Sequence, residues 1–181
     1  MATVTVAPDQ NVMVAEIFIA APPQRVFDAL TDPKQRQQWW GQKGLYRPTE
    51  STSDLRPGGK WSGAGVAADG SPYRVDGEYL EVDPPHRLSY TWKPSFAHPL
   101  ETVVHWELEP REVHGLHSRG PQRVGTGTVL KLRHEGFAGN ERALAGHRQG
   151  WERVLGWVQS FLENGETVDT RPDFGTTAQA S

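Results

Sequence analysis

The chain has 181 residues, seven tryptophans, no cysteine and a formal net charge of −3. A content of 36% hydrophobic and 23% charged residues suits one domain with one sizeable core, and the lack of a basic surplus argues against nucleic acid or an anionic membrane surface as a partner. Without thiols there is neither a disulfide nor a thiolate metal site.

In chain order, residues 1–11 are small and polar and are expected to form a flexible lead-in, without the basic and apolar regions of a secretory leader. VMVAEIFIAA (12–21) is short, apolar and β-branched, and predicts a strand. PPQRVFDALTDP predicts a short helix with a proline at its start, Val26, Phe27 and Leu30 on one face, and Pro33 closing it. A second short helix is expected from Pro33 to about Trp40, stopping at Gly41. Residues to about 134 then read as strands and turns. GLYRPTESTSDL is strand-like, Gly58–Gly59 marks a turn or bulge, ADGSP marks a hairpin, and YRVDGEYLEVDPP runs a strand into a Pro-Pro stop.

Three further strands carry alternating stripes: Leu88, Tyr90 and Trp92; then Val104, Trp106 and Leu108; then Thr128, Leu130, Leu132 and His134. They predict a curved antiparallel sheet with one wet face. Between the last two, REVHGLHSRGPQR (111–123) reads as a long polar connection. A long helix closes the domain, capped by Asn140 and ended by Asn164–Gly165, with Leu144, His147, Trp151, Val154, Leu155, Val158, Phe161 and Leu162 on its apolar stripe. Gly146, Gly150 and Gly156 each lower its stability by up to ~1 kcal/mol relative to Ala, and some of them are expected to serve close approach to a neighbour. Residues 165–181 read as a polar tail, leaving 12–164 as a single domain. No apolar run nears the ~20 residues of a membrane span, so no membrane insertion is expected and the cytoplasm is the expected address.

QQWWGQKG (37–44) raises a packing question. Consecutive residues point different ways, so Trp39 and Trp40 cannot both enter one core face. Each offers ~150–250 Å² of mostly apolar surface, worth roughly 4–6 kcal/mol when fully buried. Trp40 is expected to anchor the second helix and Trp39 to stand at the rim of a cavity, where Gly41 turns the chain away.

The order strand, two short helices, six strands and a long C-terminal helix resembles the helix-grip fold of the START/Bet v 1-like (SRPBCC) superfamily. APPQRVFDALTDPKQRQQWW, RPGGKW, DGSPYRVDGEYLEVDPPHRLSYTW, GTVLKLRHEGF and HRQGWERVLGWVQSFL, in that order over residues 12–163, are similar to the group homologous to the C-terminal domain of the activator of Hsp90 ATPase. The resemblance implies an α+β fold: a curved antiparallel sheet of about six to seven strands wrapped around the long helix, two short helices after the first strand, and a cavity between sheet and helix. The chain departs from the eukaryotic co-chaperone in lacking its separate N-terminal Hsp90-binding domain, so Hsp90 is not expected as a partner.

On that fold the stripes supply candidate ligand-binding residues. The sheet gives Trp61, Tyr79, Tyr90, Trp92, Trp106, Leu130, Leu132 and His134; the long helix gives His147, Trp151 and Leu155; the second short helix gives Trp39, at the mouth, and Trp40. Flat rings leave gaps unless their shapes match, so a pocket of ~300–1,000 Å³ is expected, open near Trp39. The simpler alternative is that these side chains fill the core outright.

Three functions fit. One is a cytoplasmic binding protein for a small, largely apolar molecule, aromatic or lipid-like. Another is a polyketide-cyclase- or hydrolase-like enzyme using His134 or His147 with Glu81 or Tyr90. The third is a chaperone-type interaction protein acting through its surface. The binding reading is preferred, and no catalytic residue is assigned. Glu81 reaches the cavity only if no bulge separates it from Tyr79. His114 and His117 have metal-like spacing but no third ligand, so neither a metal nor a cofactor is expected, and a homodimer stays open. GVAADGSP and GTGT lack the lysine of a phosphate loop, and nothing marks a nucleophile elbow.

Overall fold

The computed structural model describes residues 3–7, 11–117 and 120–175. Its strands are β1 (Thr3–Ala7), β2 (Val12–Ile19), β3 (Tyr46–Ser53), β4 (Lys60–Ala67), β5 (Pro72–Asp83), β6 (Arg87–Pro94), β7 (Thr102–His117) and β8 (Gly120–Glu135). They form one eight-stranded antiparallel sheet in the order β1-β2-β8-β7-β6-β5-β4-β3. Helices α1 (Pro23–Thr31) and α2 (Pro33–Trp39) lie between β2 and β3, and α3 (Glu141–Asn164) follows β8. The sheet curls around α3 in the helix-grip arrangement. Among the described residues no helix is long and apolar enough to cross a membrane.

Alternation decides which face of each strand is dry. In β2, Met13, Ala15, Ile17 and Ile19 are buried while Val14, Glu16 and Phe18 are exposed. Trp106 stands in register with Leu88 on one side and Leu132 on the other, so three strands contribute to one inward row. The opposite face is polar: Lys131 pairs with Glu109 and Arg133 with Glu135 at 2.7 Å, and His105 hydrogen-bonds Glu135 at 2.9 Å. The inner face receives α3, which buries Trp151, Val154, Leu155 and Val158. Its ends follow the sequence signals: Asn140 accepts from the Ala143 N–H at 3.0 Å, and Gly165 takes the left-handed conformation at φ 71°.

Four elements depart from the sequence reading. Residues 3–7, expected as part of a loose lead-in, pair with β2 from Thr3↔Glu16 to Ala7↔Val12; this edge strand raises the count from six or seven to eight, and the two short helices therefore follow the second strand. The polar stretch 111–123 continues β7 and β8 as a two-stranded ribbon, paired as far as His117↔Gly120. Main-chain pairing does not require apolar alternation, so the sequence of such a ribbon carries no stripe. The side chains of His114 and His117 lie outside the described residues.

The tail is the third departure. Up to residue 175 it packs on the domain: Val168 is buried and its N–H donates to the Gln38 carbonyl at 2.8 Å. The buried Arg171 guanidinium donates to the carbonyls of Gly41, of Trp39 at 3.2 Å and of Trp157 at 3.2 Å. The last carbonyls of a helix lack intrahelical donors, and Arg171 supplies them to α2. Finally, the glycines of α3 are not close-approach sites: a Cβ on Gly146, Gly150 or Gly156 would meet nothing within 4 Å.

The paired tryptophans exchange their expected places. Trp39 is fully buried and Trp40 only partly so. The physical reason is Pro33. Within a helix the Ala29 carbonyl would accept from the N–H four residues on, but that residue is a proline. The Trp39 indole N–H fills the gap, donating to the Ala29 carbonyl at 2.8 Å and tying α2 to α1. Gly41 then turns the chain at φ 142°, where a Cβ would come within 2.6 Å of the Tyr46 carbonyl. Replacing Trp39 by Phe is expected to cost about 1–3 kcal/mol in urea unfolding, because a buried carbonyl loses its donor. Trp40→Phe keeps a ring in place and is expected to cost less than ~1 kcal/mol in the same measurement.

Candidate ligand-binding cleft

Between α3 and the far half of the sheet lies an open cleft of about 320 Å³. One wall is the α3 stripe Gly146, His147, Gly150, Trp151, Val154 and Trp157. The other is made by Leu45, Tyr46, Ala67, Tyr73 and Phe96, and Trp40 and Trp92 also line it. The rings brace one another: Trp40 stacks on Trp92 with centroids 6.0 Å apart, Tyr46 meets Tyr73 edge-on at 4.8 Å, and Phe96 stacks on Tyr73 at 5.4 Å. Phe96, on the short 3₁₀ turn Ser95–Ala97, is 61% exposed and forms the outer lip. The two cleft-lining glycines of α3 widen it, since side chains there would project into open space.

Beside the cleft is a small recess with room for about 20 Å³, bordered by Arg36, Ser51, Trp61 and Gly63 and sharing Trp40, Tyr46, Tyr73 and Trp92 with the cleft. A larger hollow of about 640 Å³ lies on the outward face of the sheet. Its lining includes Glu16, Glu81, Arg87, His105, Lys131, Arg133 and Glu135, charges that largely pair with each other. Its lining mixes these charges with Val14, Leu88 and Leu132, whereas aromatic rings line the cleft.

The two histidines are tied into a buried network whose protons can be assigned from the partners. The Trp151 indole N–H donates to His134 Nδ1 at 2.8 Å, so the His134 proton sits on Nε2. That N–H reaches Thr102 Oγ1 at 2.7 Å, and the threonine hydroxyl donates onward to the Trp92 carbonyl at 3.3 Å. His147 has the other tautomer: Nε2 accepts from the Trp92 indole at 3.1 Å, and Nδ1–H donates to the Ala143 carbonyl at 2.8 Å. Burial, helped by the charges His147 and His105 would carry, holds the His134 pKa well below the usual histidine value. Burial also lowers that of His147, against a smaller upward effect of its bond to Ala143.

Of the residues singled out from the sequence, Trp40, Trp92, His147 and Trp151 line the cleft. Trp61 borders the small space behind Trp40. Trp39, Tyr79, Tyr90, Trp106, Leu130, Leu132, His134 and Leu155 are packed in the core instead. Their polar atoms find protein partners: Trp106 N–H donates to the Tyr90 hydroxyl at 2.9 Å, and the Tyr79 hydroxyl bonds Ser53 Oγ at 2.8 Å. Burial pushes the Tyr90 phenol up to about 12. Glu81 does not reach the cleft, because the register shifts between Tyr79 and Glu81 and turns it outward to Arg87 at 3.2 Å. Sequence reasoning missed Arg36, Tyr46, Tyr73 and Phe96. Arg36 sits between a proline and two tryptophans on a short helix, and a lone basic residue there gives no sign of burial.

The family described as Activator of Hsp90 ATPase homolog 1-like protein matches residues 20–117. No curated protein matches the chain by sequence. Several solved structures share its fold. Protein Ms6760 from Mycobacterium smegmatis is 20% identical with a TM-score of 0.71, over 91% of this chain and 98% of that one. Protein CV1439 from Chromobacterium violaceum is 26% identical with a TM-score of 0.62, over 84% and 97%. CalU16 from Micromonospora echinospora is 23% identical with a TM-score of 0.58, over 95% and 85%.

The histidine network makes stability depend on pH. Both folded-state pKa values are depressed, so below the ordinary histidine value the unfolded chain binds protons that the folded chain does not. Stability is therefore complete above pH ~6.5 and is lost as pH falls from there toward the folded-state values. The melting temperature is expected to fall between pH 7 and pH 5. In His134→Gln, whose amide can both accept and donate but does not titrate, that fall should be shallower.

Proposed function

The chain belongs to the Activator of Hsp90 ATPase homolog 1-like family, and from that premise we propose that it is a binding protein holding a small, largely apolar molecule, aromatic or lipid-like, in the cleft between α3 and the sheet. The observation that carries this reading is the open, ring-lined space of about 320 Å³ beside Gly146 and Gly150. Its size and lining are those of a small-molecule site. The polar groups nearest to it favour binding over catalysis. His147 spends both ring nitrogens on Trp92 and Ala143, His134 spends both on Trp151 and Thr102, and Glu81 is on the other face. A general base needs a free lone pair directed at a substrate, and these two lone pairs are occupied by indole donors.

The test uses N-phenyl-1-naphthylamine, an uncharged dye whose emission rises in apolar surroundings. It is expected to bind one-to-one and to quench tryptophan emission, since Trp40 and Trp151 line the cleft. Gly150→Phe sends a benzyl group into the space and is expected to weaken the dye by about tenfold or more. Gly150→Ala is expected to retain binding and to stabilise the fold by up to ~1 kcal/mol through helix propensity. A folded Gly150→Phe variant that binds the dye as tightly as the parent would overturn the reading.

A further inference from the structure

Behind Trp40, α2 carries a cation into the interior without a counter-ion. Arg36 is 8% exposed, and among the described residues no carboxylate, carbonyl or hydroxyl accepts a hydrogen bond from its guanidinium. Its neighbours are ring faces, with Cζ 4.9 Å from the centroid of Trp61 and 5.8 Å from that of Trp40. A third side is open because β4 presents Gly63, whose absent Cβ would stand 3.5 Å from Nη2. Aromatic faces offset the charge, but they do not satisfy the five N–H groups in the guanidinium plane. None of the guanidinium nitrogens is sealed from water, so an anionic ligand reaching this point can replace that water with a charge-assisted pair.

The surrounding groups also lack acceptors. Ser51 Oγ is buried with no partner among the described residues. Tyr46 and Tyr73 border the same space, and no partner is found there for either hydroxyl. Burial raises both phenols far above the ordinary tyrosine range, so they stay protonated and able to donate. Glu50, the carboxylate at the edge of this space, lies 3.7 Å from Arg74 instead. Donors outnumber acceptors, which is the chemistry of an oxyanion site.

We propose that Arg36 is the headgroup site of the cleft: the ligand is an amphiphilic organic carboxylate whose apolar body lies along α3 and whose carboxylate pairs with Arg36. This rests on the cleft being the ligand site, as proposed above. The room now beside Arg36, about 20 Å³, takes no more than a water. A carboxylate enters only if the dividing wall gives, and Trp40, partly buried and shared by both spaces, is the part that swings aside.

The experiment compares two displacers of equal size and different charge, 1-naphthylacetate and 1-naphthylacetamide, against bound N-phenyl-1-naphthylamine at pH 7.5. The acetate is expected to displace the dye from the parent protein at about tenfold lower concentration than the amide. In Arg36→Gln the two concentrations should agree within about twofold, and in Arg36→Lys a reduced preference should persist. The ratio is read within each variant; should Arg36→Gln fail to fold, Arg153→Gln decides between the two cations, the parent's preference being expected to persist in it and its loss there overturning the Arg36 assignment. Equal displacement from a parent that binds the dye overturns the Arg36 assignment and leaves the cleft standing. A preference that survives in folded Arg36→Gln also overturns it, assigning the charge to Arg153 on the cleft wall. Failure of the dye to bind removes the cleft reading and this inference together.

Discussion

Two indole-to-imidazole hydrogen bonds run in opposite directions between sheet and helix, and they determine where α3 sits. Trp151 on α3 donates to His134 on β8, and Trp92 on β6 donates to His147 on α3. A tryptophan-rich core brings many N–H donors into a region with few acceptors, and each donor buried without one is expensive. Imidazole answers that need because its neutral form has one nitrogen to accept and one to donate. Each histidine passes the bond on, to Thr102 in one case and to the Ala143 carbonyl in the other. The pair thus pins both strands and helix at a fixed separation, and it does so only while both rings stay uncharged.

The cleft follows from that separation. With α3 held over β6 and β8, the strands β3, β4 and β5 curl past the helix without touching it closely along Gly146 and Gly150. Leucines or methionines could adapt to fill such a gap, but Tyr46, Tyr73 and Phe96 lean on each other, Trp92 stacks on Trp40, and these flat rings leave it open. Gly65 belongs to the same arrangement. The Tyr46 ring lies over it so closely that a Cβ would come within 2.5 Å of the phenol oxygen.

The fold was legible wherever burial imposes a period. The stripes on β2, β6, β7 and β8 and the apolar face of α3 are one-sided because one side meets the core and the other meets water. The outer part of the β7–β8 ribbon pairs through the main chain without an apolar period, and in β1 the Thr-Val alternation of Thr3–Ala7 is too short to mark a strand by itself. The candidate site was legible in part, and for a related reason. Inward parity says that a side chain leaves the solvent, but not whether it meets protein or a space; Trp92 and Trp106 look alike in sequence, yet Trp92 lines the cleft and Trp106 is packed against Tyr90. Glu81 needed knowledge of a bulge, and Arg36 needed the tertiary contact of α2 with β4.

The doubled tryptophan then has a physical explanation. Trp39 is required by folding, because Pro33 strips the Ala29 carbonyl of its helical donor and an indole is well placed to replace it. Trp40 has no such obligation: its indole N–H satisfies no described group, and its ring touches Trp39 at 5.2 Å, Trp92 at 6.0 Å and the Arg36 guanidinium at 5.8 Å. A side chain held by ring contacts alone can move at modest cost, whereas one holding a buried carbonyl cannot. The sequence thus places a fixed tryptophan and a movable one on adjacent residues. The movable one stands between an apolar cleft and an unpaired cation, where its displacement joins the two.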